Sequence, residues 1–399
     1  MTRAKAVAPQ DSDDIDEWNR EDAAELQRPA RPSAYEVAIS ARDWTVGTIV
    51  QQVSQENIDL DPAFQRRNAW RDARRSRLVE SFILSFPVPQ IVLAENPRKR
   101  KSYIVIDGKQ RLMSIAGFFL PEFRAYWKAP VLSGLEILKD LNGVSIDDFL
   151  SKPQFAQYRR QLDNADIRAT VLSGFRDEGV LYDIFYRINT GSVPLSSQEL
   201  RQVLNRGAFA RFLLDVTSQE NAIWRLLGIA EPDARLRDVE LLLRLIAWTE
   251  FSGTYAGNMK KFLDDTMTSL NASWSTNQKR IREVVEQILL AVDTAQDVFG
   301  DTVGRKYKDG KYEGTLNRAV LEVQAVFLVD KAIRASAIKR KAAVKKAFVG
   351  LSADASFLAA VESTTKSLEN TRARFSLYRK VFGHALGKTV KALPIGKSE

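Results

Sequence analysis

The sequence predicts an α+β amino-terminal domain with a small mixed sheet, followed by an all-α helical domain. Three observations predict it. Between residues 44 and 120, apolar runs of strand length alternate with segments of helical periodicity. From about residue 222 onward, apolar residues recur at the helical period. The length, 399 residues with 45% hydrophobic content, exceeds one typical core and suits a globular chain. The expected division is a disordered acidic arm over 1–34, a first domain over 35–207, and a helical bundle with a basic carboxyl-terminal region over 208–399.

The arm, "DSDDIDEWNREDAAELQRPARPS", is acidic, Pro-bearing and poor in aliphatics. It reads as a solvated tail, or as a segment that covers a basic groove. Structure is expected from "WTVGTIVQQVSQENIDL", where Thr45 caps a helix through Gln52 and "IDLDPAF" follows as an extended stretch. Leu78, Val79, Phe82 and Ile83 fall at helical spacing, and Pro87 and Pro89 end that helix. "QIVLAE" and "SYIVI" read as paired strands across the basic turn "NPRKRK". "RLMSIAGFF" is a helix stopped by Pro121. "ADIRATVL" predicts a further strand. "EGVLYDIFYRIN" and "SSQELRQVLNRGAFARFLLDV" read as helices, with Ser196 or Ser197 capping the second and Glu199 in its first turn. Beyond residue 222 the chain reads as helical throughout.

Composition excludes several chemistries. Cysteine is absent, which removes disulfides, zinc thiolate sites and thiol nucleophiles. The single histidine, His384, lies in a basic Gly-flanked segment and reads as a surface residue. An HNH-type nuclease site or a two-His zinc site cannot form within one chain. No apolar run reaches membrane-spanning length and no signal peptide is visible, so a cytoplasmic protein with no membrane partner is expected. The net charge of +9 favours an anionic partner such as nucleic acid or nucleotide. "RASAIKRKAAVKKAF" and "TRARFSLYRKVFG" are basic faces, to be read as solvated surface or as DNA contact.

The candidate site is "YIVIDGKQRLMSIAGFF", residues 103–119. A strand hands the chain to a helix through a turn that carries an acid, an amide and two bases. A helix amino terminus presents unpaired N–H groups and partial positive charge, which suit an anion. Gly108 allows close backbone approach, Arg111 offers a planar fork of donors and Lys109 a point charge. Asp107 can hold a metal ion, orient Arg111 or bind a ribose hydroxyl. The plain reading is an Asp-Gly turn in which Asp107 and Arg111 pair structurally. Upstream, "DPAFQRRNAWRDARR" sets Gln65 and Arg66 between Phe64 and Trp70. The two aromatics would anchor the segment and aim the polar residues at the same pocket; the plain reading is a basic surface loop.

"PAFQRRNAW", then "YIVIDGKQRL", then "IFYRINTGSVPLSSQELR" together resemble the amino-terminal domain family of GmrSD-type restriction endonucleases, which is similar in fold to ParB and sulfiredoxin domains. The resemblance covers residues 44 to about 207. It implies a nucleotide site at the Asp-Gly-Gln-Gln-Arg (DGQQR) box, matched here by Asp107, Gly108, Gln110 and Arg111. Phe64, Gln65, Arg66 and Trp70 match an upstream box; Arg187, Asn189, Gly191, Gln198, Glu199 and Arg201 match a third. Lys109 replaces the first Gln, and Ser192 stands where a second Gly is common. Implied roles follow. Lys109, Gly108 and Arg111 hold phosphate of an NTP, Arg66 stabilises charge on the transferred group, and Asn189 lines the site. Gln110 and Gln65 orient the nucleotide or an attacking water. Asp107 or Glu199 acts as base or positions Mg²⁺.

The expected function is a nucleotide-binding, DNA-interacting component of a prokaryotic restriction or phage-defence system. Whether it is an NTPase is left open, and cleavage would fall to a separate nuclease, with a methyltransferase as a further partner. Two alternatives stand beside it: a ParB-like DNA-binding module without catalysis, and a metal-dependent DNA nickase using Asp107 and Glu199.

Overall fold

The computed structural model describes residues 37–58, 60, 70–96, 99–175, 180–181, 184, 196–362 and 367–396. The chain divides into two compact units, parting between Leu195 and Ser196. The helix opened by Ser196 is grouped with the helical unit.

In the α+β unit, β1 (Ala38–Thr45), β2 (Ile91–Glu95), β3 (Tyr103–Asp107) and β4 (Asp166–Ser173) form one sheet in the order β1-β4-β2-β3. β4 pairs antiparallel with β1 and parallel with β2, while β2 and β3 form an antiparallel hairpin, so the sheet is mixed as expected. The hairpin register runs Glu95 opposite Tyr103 to Val92 opposite Asp107, with an irregularity between Val92 and Leu93. β1 escaped the sequence reading. Its residues "AISARDWT" are almost all exposed, so no apolar alternation marks it. It is held by backbone pairing and by the Arg168 guanidinium, which donates to both carboxylate oxygens of Asp43, 2.9 Å each, on the facing strand.

Helices α1 (Val46–Ser54), α2 (Asp72–Ile83), α3 (Lys109–Phe119), α4 (Ile146–Ser151) and α5 (Ala156–Asp163) complete this unit. Thr45 caps α1 as expected, its hydroxyl accepting from Thr48 N–H at 3.1 Å. α2 buries Leu78, Val79, Phe82 and Ile83, and α3 buries Leu112, Met113, Ile115, Ala116 and Phe118. These faces share one core with Tyr126, Trp127, Phe149 and the inward residues of β4. A buried carboxylate, Glu80, accepts the backbone N–H groups of Ile137 and Leu138 at 2.9 and 2.7 Å and so holds the loop after α3. The expected elements over 61–69 and most of 176–190 lie outside the described residues.

The second unit contains α6 (Ser197–Leu204), α7 (Ala208–Val216), α8 (Ala222–Leu227), α9 (Arg237–Phe251), α10 (Met259–Ala272), α11 (Trp274–Phe299), the two-residue strands β5 (Tyr307–Lys308) and β6 (Lys311–Tyr312), then α12 (Arg318–Val326), α13 (Lys331–Lys339), α14 (Lys341–Leu351), α15 (Ala355–Glu362) and α16 (Leu368–Leu386). The 26-residue α11 is its spine, touching α8, α9, α12, α13 and α14. No described helix is long and apolar enough to cross a membrane.

Three expectations need correction here. The stretch 196–216 is two helices, because a Cβ at Gly207 would sit 2.1 Å from Asn271 Oδ1. That oxygen enters the break and accepts the N–H groups of Phe209 and Ala210, both at 3.1 Å, capping α7 from another helix. The segment "NRAVLEVQAVFLVDKAI", residues 317–333, has the apolar spacing of one helix, but it breaks after Val329, where Asp330 caps α13 by accepting from Ala332 and Ile333. The region beyond 222 is also not wholly helical, since β5 and β6 form a hairpin.

The helical core contains charge. Arg244 donates to Glu240 at 2.7 Å and to Glu322 at 3.2 Å; Arg318 reaches Glu240 at 2.9 Å; Arg374 reaches Glu322 at 2.9 Å. All five residues are at most 3% exposed. Such groups persist inside a core only when paired.

Candidate functional site

β3 ends at Asp107 and α3 begins at Lys109, so the turn is one residue, Gly108. Gly108 has φ +91° and ψ +10°, a left-handed conformation that favours glycine. A Cβ there would also meet Ile91 Cγ2 at 2.5 Å. The structural demand for glycine thus comes from the backbone and the neighbouring strand, before any ligand is considered.

Asp107 and Arg111 pair across this turn. Arg111 Nη2 donates to Asp107 Oδ2 and to the Gln90 carbonyl, both at 2.9 Å. Their side chains are 14% and 31% exposed for Arg111 and Asp107, so the pair is half-sheltered. One nitrogen makes both bonds. The buried Nε has no hydrogen-bond partner among the described residues. α3 has no acidic residue in its first turn and no side-chain cap, yet Lys109 and Arg111 both lie in that turn. Cations at a helix amino terminus oppose the helix dipole, at about 0.3–1 kcal/mol each.

Gln110 is positioned from below. Its Oε1 accepts the Tyr126 hydroxyl. Tyr126 is 1% exposed, and burial pushes its phenol well above the ordinary value. The Arg75 guanidinium lies 4.2 Å from the Tyr126 ring centroid, ion-pairs with Asp72, and donates to the Trp70 carbonyl at 2.5 Å. Asp72 also accepts Ala129 N–H at 2.7 Å. Trp70 packs against the core, as its place in the upstream box predicts, and Arg74 stacks on its ring at 4.3 Å. A chain of contacts therefore runs from Trp70 through Arg75 and Tyr126 to Gln110. Sequence reading missed Arg75 and Tyr126, since Arg75 stands in a run of bases that reads as surface. The pairing signal was Asp72 at i and Arg75 at i+3.

The remaining expected residues separate into two groups. Phe64, Gln65, Arg66, Arg187, Asn189 and Gly191 lie outside the described residues. Gln198, Glu199 and Arg201 lie on α6 in the helical unit. There Ser196 and Glu199 form a capping box: the Ser196 hydroxyl accepts from Glu199 N–H at 3.1 Å, and Glu199 Oε2 accepts from Ser196 N–H at 2.7 Å. Arg201, fully buried, donates to Asp264 at 2.7 Å and Gln198 at 2.6 Å. These three side chains bind α6 within its own unit.

For a phosphate, the turn fits: a helix amino terminus, a fork with spare donors and a neighbouring lysine. For a divalent cation the described residues fit poorly. Asp107 is tied to Arg111, Glu199 is tied to its own cap, and no group of three His, Asp or Glu able to hold a metal occurs among the described residues. No step is routed through a metal.

A four-stranded mixed sheet that delivers its edge strand to a helix through this turn defines an α+β domain with a candidate anion site. Residues 46–204 match the family described as the GmrSD restriction endonuclease, N-terminal domain, and the chain carries a domain of that family. No curated protein and no solved structure matches the chain.

Proposed function

We propose that the Asp107–Arg111 turn binds the phosphates of a nucleoside triphosphate, in a DNA-acting component of a restriction or phage-defence system. The observation that carries this is the pair of cations in the first turn of an uncapped helix, one of them with an unpartnered buried Nε. An anion there removes the repulsion from the dipole and uses the spare donors.

Roles follow from the geometry. Arg111 would give its free edge to phosphate oxygens while Asp107 and Gln90 fix its plane. Lys109 would add charge. Gln110 has its carbonyl oxygen engaged by Tyr126, which leaves its amide N–H₂ to face a phosphoryl oxygen. It therefore serves as a donor to the transferred group better than as an acceptor for an attacking water. Asp107, tied to Arg111 at 2.9 Å, serves to orient that guanidinium. Glu199, held in its capping box, has no part in this reading. DNA cleavage itself would be executed by a separate nuclease.

The test is nucleotide binding and hydrolysis with Mg²⁺ on wild type and Arg111→Ala. Loss of a charge-assisted fork should weaken binding roughly 10- to 100-fold. Equal affinity in both proteins, with both folded, would refute the phosphate role and leave the turn as a structural tie.

A further inference from the structure

The basic character of this chain is concentrated in one place. Residues 331–353 and 370–396 hold thirteen of its 59 basic residues and none of its 50 acidic ones, so the rest of the chain is net acidic. Both stretches lie in the helical unit, on α13, α14, α16 and the segment that follows. The fold brings them together. α14 packs along α16, with the Phe348 and Tyr378 rings 6.4 Å apart. Arg340, between α13 and α14, donates to the Ala385 carbonyl at 3.4 Å and lies against Gly387 at the end of α16. Lys388 reaches the Ala332 carbonyl on α13 at 3.3 Å. The tail then folds back along α16, where Arg379 donates to the Val390 carbonyl at 3.1 Å and Arg372 to the Ile395 carbonyl at 2.9 Å.

Exposed Lys331, Lys339, Lys346, Lys380 and Lys391 have no carboxylate within 4 Å among the described residues. Lys101, Lys139, Lys279 and Lys311 also lack one, but they lie outside these two acid-free stretches. The nearest acid in sequence, Asp330, spends its carboxylate capping α13. A single-sign surface repels itself, and ordinary surfaces mix the signs.

The geometry points to this face as a docking surface for the phosphate backbone of duplex DNA, and it rests on the DNA-acting part of the function proposed above. The scarcity of stacking groups selects duplex over single strand. The Phe and Tyr rings of α14 and α16, Phe348, Phe375, Tyr378 and Phe382, are all buried at 2% exposure or less, which leaves His384 as the exposed ring among the described residues of these helices. An exposed apolar stripe, which a membrane surface would require, is also missing: Ile338 is the large hydrophobic residue exposed on these helices. What the face offers is point charges without base-reading geometry, the pattern of sequence-independent backbone contact.

The experiment titrates the full-length protein with a fluorescent 30-base-pair duplex over a salt series. One variant combines Lys331→Gln, Lys339→Gln, Lys380→Gln and Lys391→Gln. A second, of equal charge change, combines Lys101→Gln, Lys139→Gln, Lys152→Gln and Arg160→Gln on the α+β unit. The first should bind at least tenfold more weakly, with the slope of log affinity against log salt reduced by about 3–4. The second should keep most of the affinity and the slope. Equal losses in the two variants would overturn the surface and leave a DNA-binding protein. Failure of wild type to bind duplex at low salt would overturn the DNA reading itself. Wild-type binding to vesicles of anionic phospholipid but not to duplex would replace the partner. ATP affinity, measured on the same samples, reports the Arg111 site separately.

Discussion

Arginine does two different jobs in the two units. In the helical core, Arg244, Arg318 and Arg374 are buried and share Glu240 and Glu322 in a connected set of ion pairs. At the Asp-Gly turn, Arg111 is half-sheltered and makes both its bonds through one nitrogen. The first arrangement ties five side chains across α9, α12 and α16. The second rests on one carboxylate and one carbonyl beside a turn. Burial and the number of helices tied together, more than residue type, separate an arginine that holds a fold from one that can hold a ligand.

Breaking the core set should have the largest effect. Glu322→Ala leaves Arg244 and Arg374 facing each other in the core, and unfolding should become easier by about 3–5 kcal/mol, read by denaturant titration. A Glu322→Ala protein as stable as wild type would show that the network is dispensable. In the α+β unit, Gly108→Ala imposes left-handed strain and a clash with Ile91. It should cost about 2–3 kcal/mol and weaken nucleotide binding by displacing Arg111.

Glu80 gives a smaller and pH-dependent effect. Burial alone would raise its carboxyl, but the N–H groups of Leu138, Ile137 and Glu136 outweigh it and hold the group below its ordinary 4.5. A depressed folded value means that the stabilisation is present above about pH 4.5 and is lost as pH falls through the folded value. Glu80→Gln should lower the melting temperature at pH 7, by about 1–2 kcal/mol in stability, with the gap to wild type closing below pH 4. A gap independent of pH would contradict the assignment. The smallest effect is expected of Glu199→Ala, about 1 kcal/mol for a lost capping box, with nucleotide hydrolysis unchanged wherever wild type shows it. Loss of hydrolysis at full stability would return Glu199 to the site.

Local signals in the sequence carried much of the fold. Thr45, the apolar spacing of α2 and α3, the β2–β3 pair and the Ser196–Glu199 capping box are all set by residues within a turn or two. What it hid depends on distant partners. Asn271 enters the break at Gly207, and β1 carries no apolar pattern because its residues are mostly exposed and it is held by backbone pairing, Asp43 and Arg42. At the site, the spacing of Asp107 and Arg111 predicted either a ligand fork or a structural pair. The structure contains the pair and also the spare donors, so both readings found part of their object. Arg75 and Tyr126 were illegible because a buried arginine under a tyrosine ring looks, in sequence, like one more base in "RRNAWRDARR".

The central claim is that Arg111 gives phosphate the donors that Asp107 and Gln90 leave over. Calorimetric titration of ATP into Asp107→Asn tests it most directly. The amide keeps an acceptor for Nη2 and removes the negative charge beside the phosphate, so binding should be as tight as in wild type or several-fold tighter, while Arg111→Ala binds at least tenfold more weakly. If Asp107→Asn and Arg111→Ala both retain wild-type affinity, or if ATP binds none of the three folded proteins, Arg111 holds no phosphate and the turn serves the fold alone.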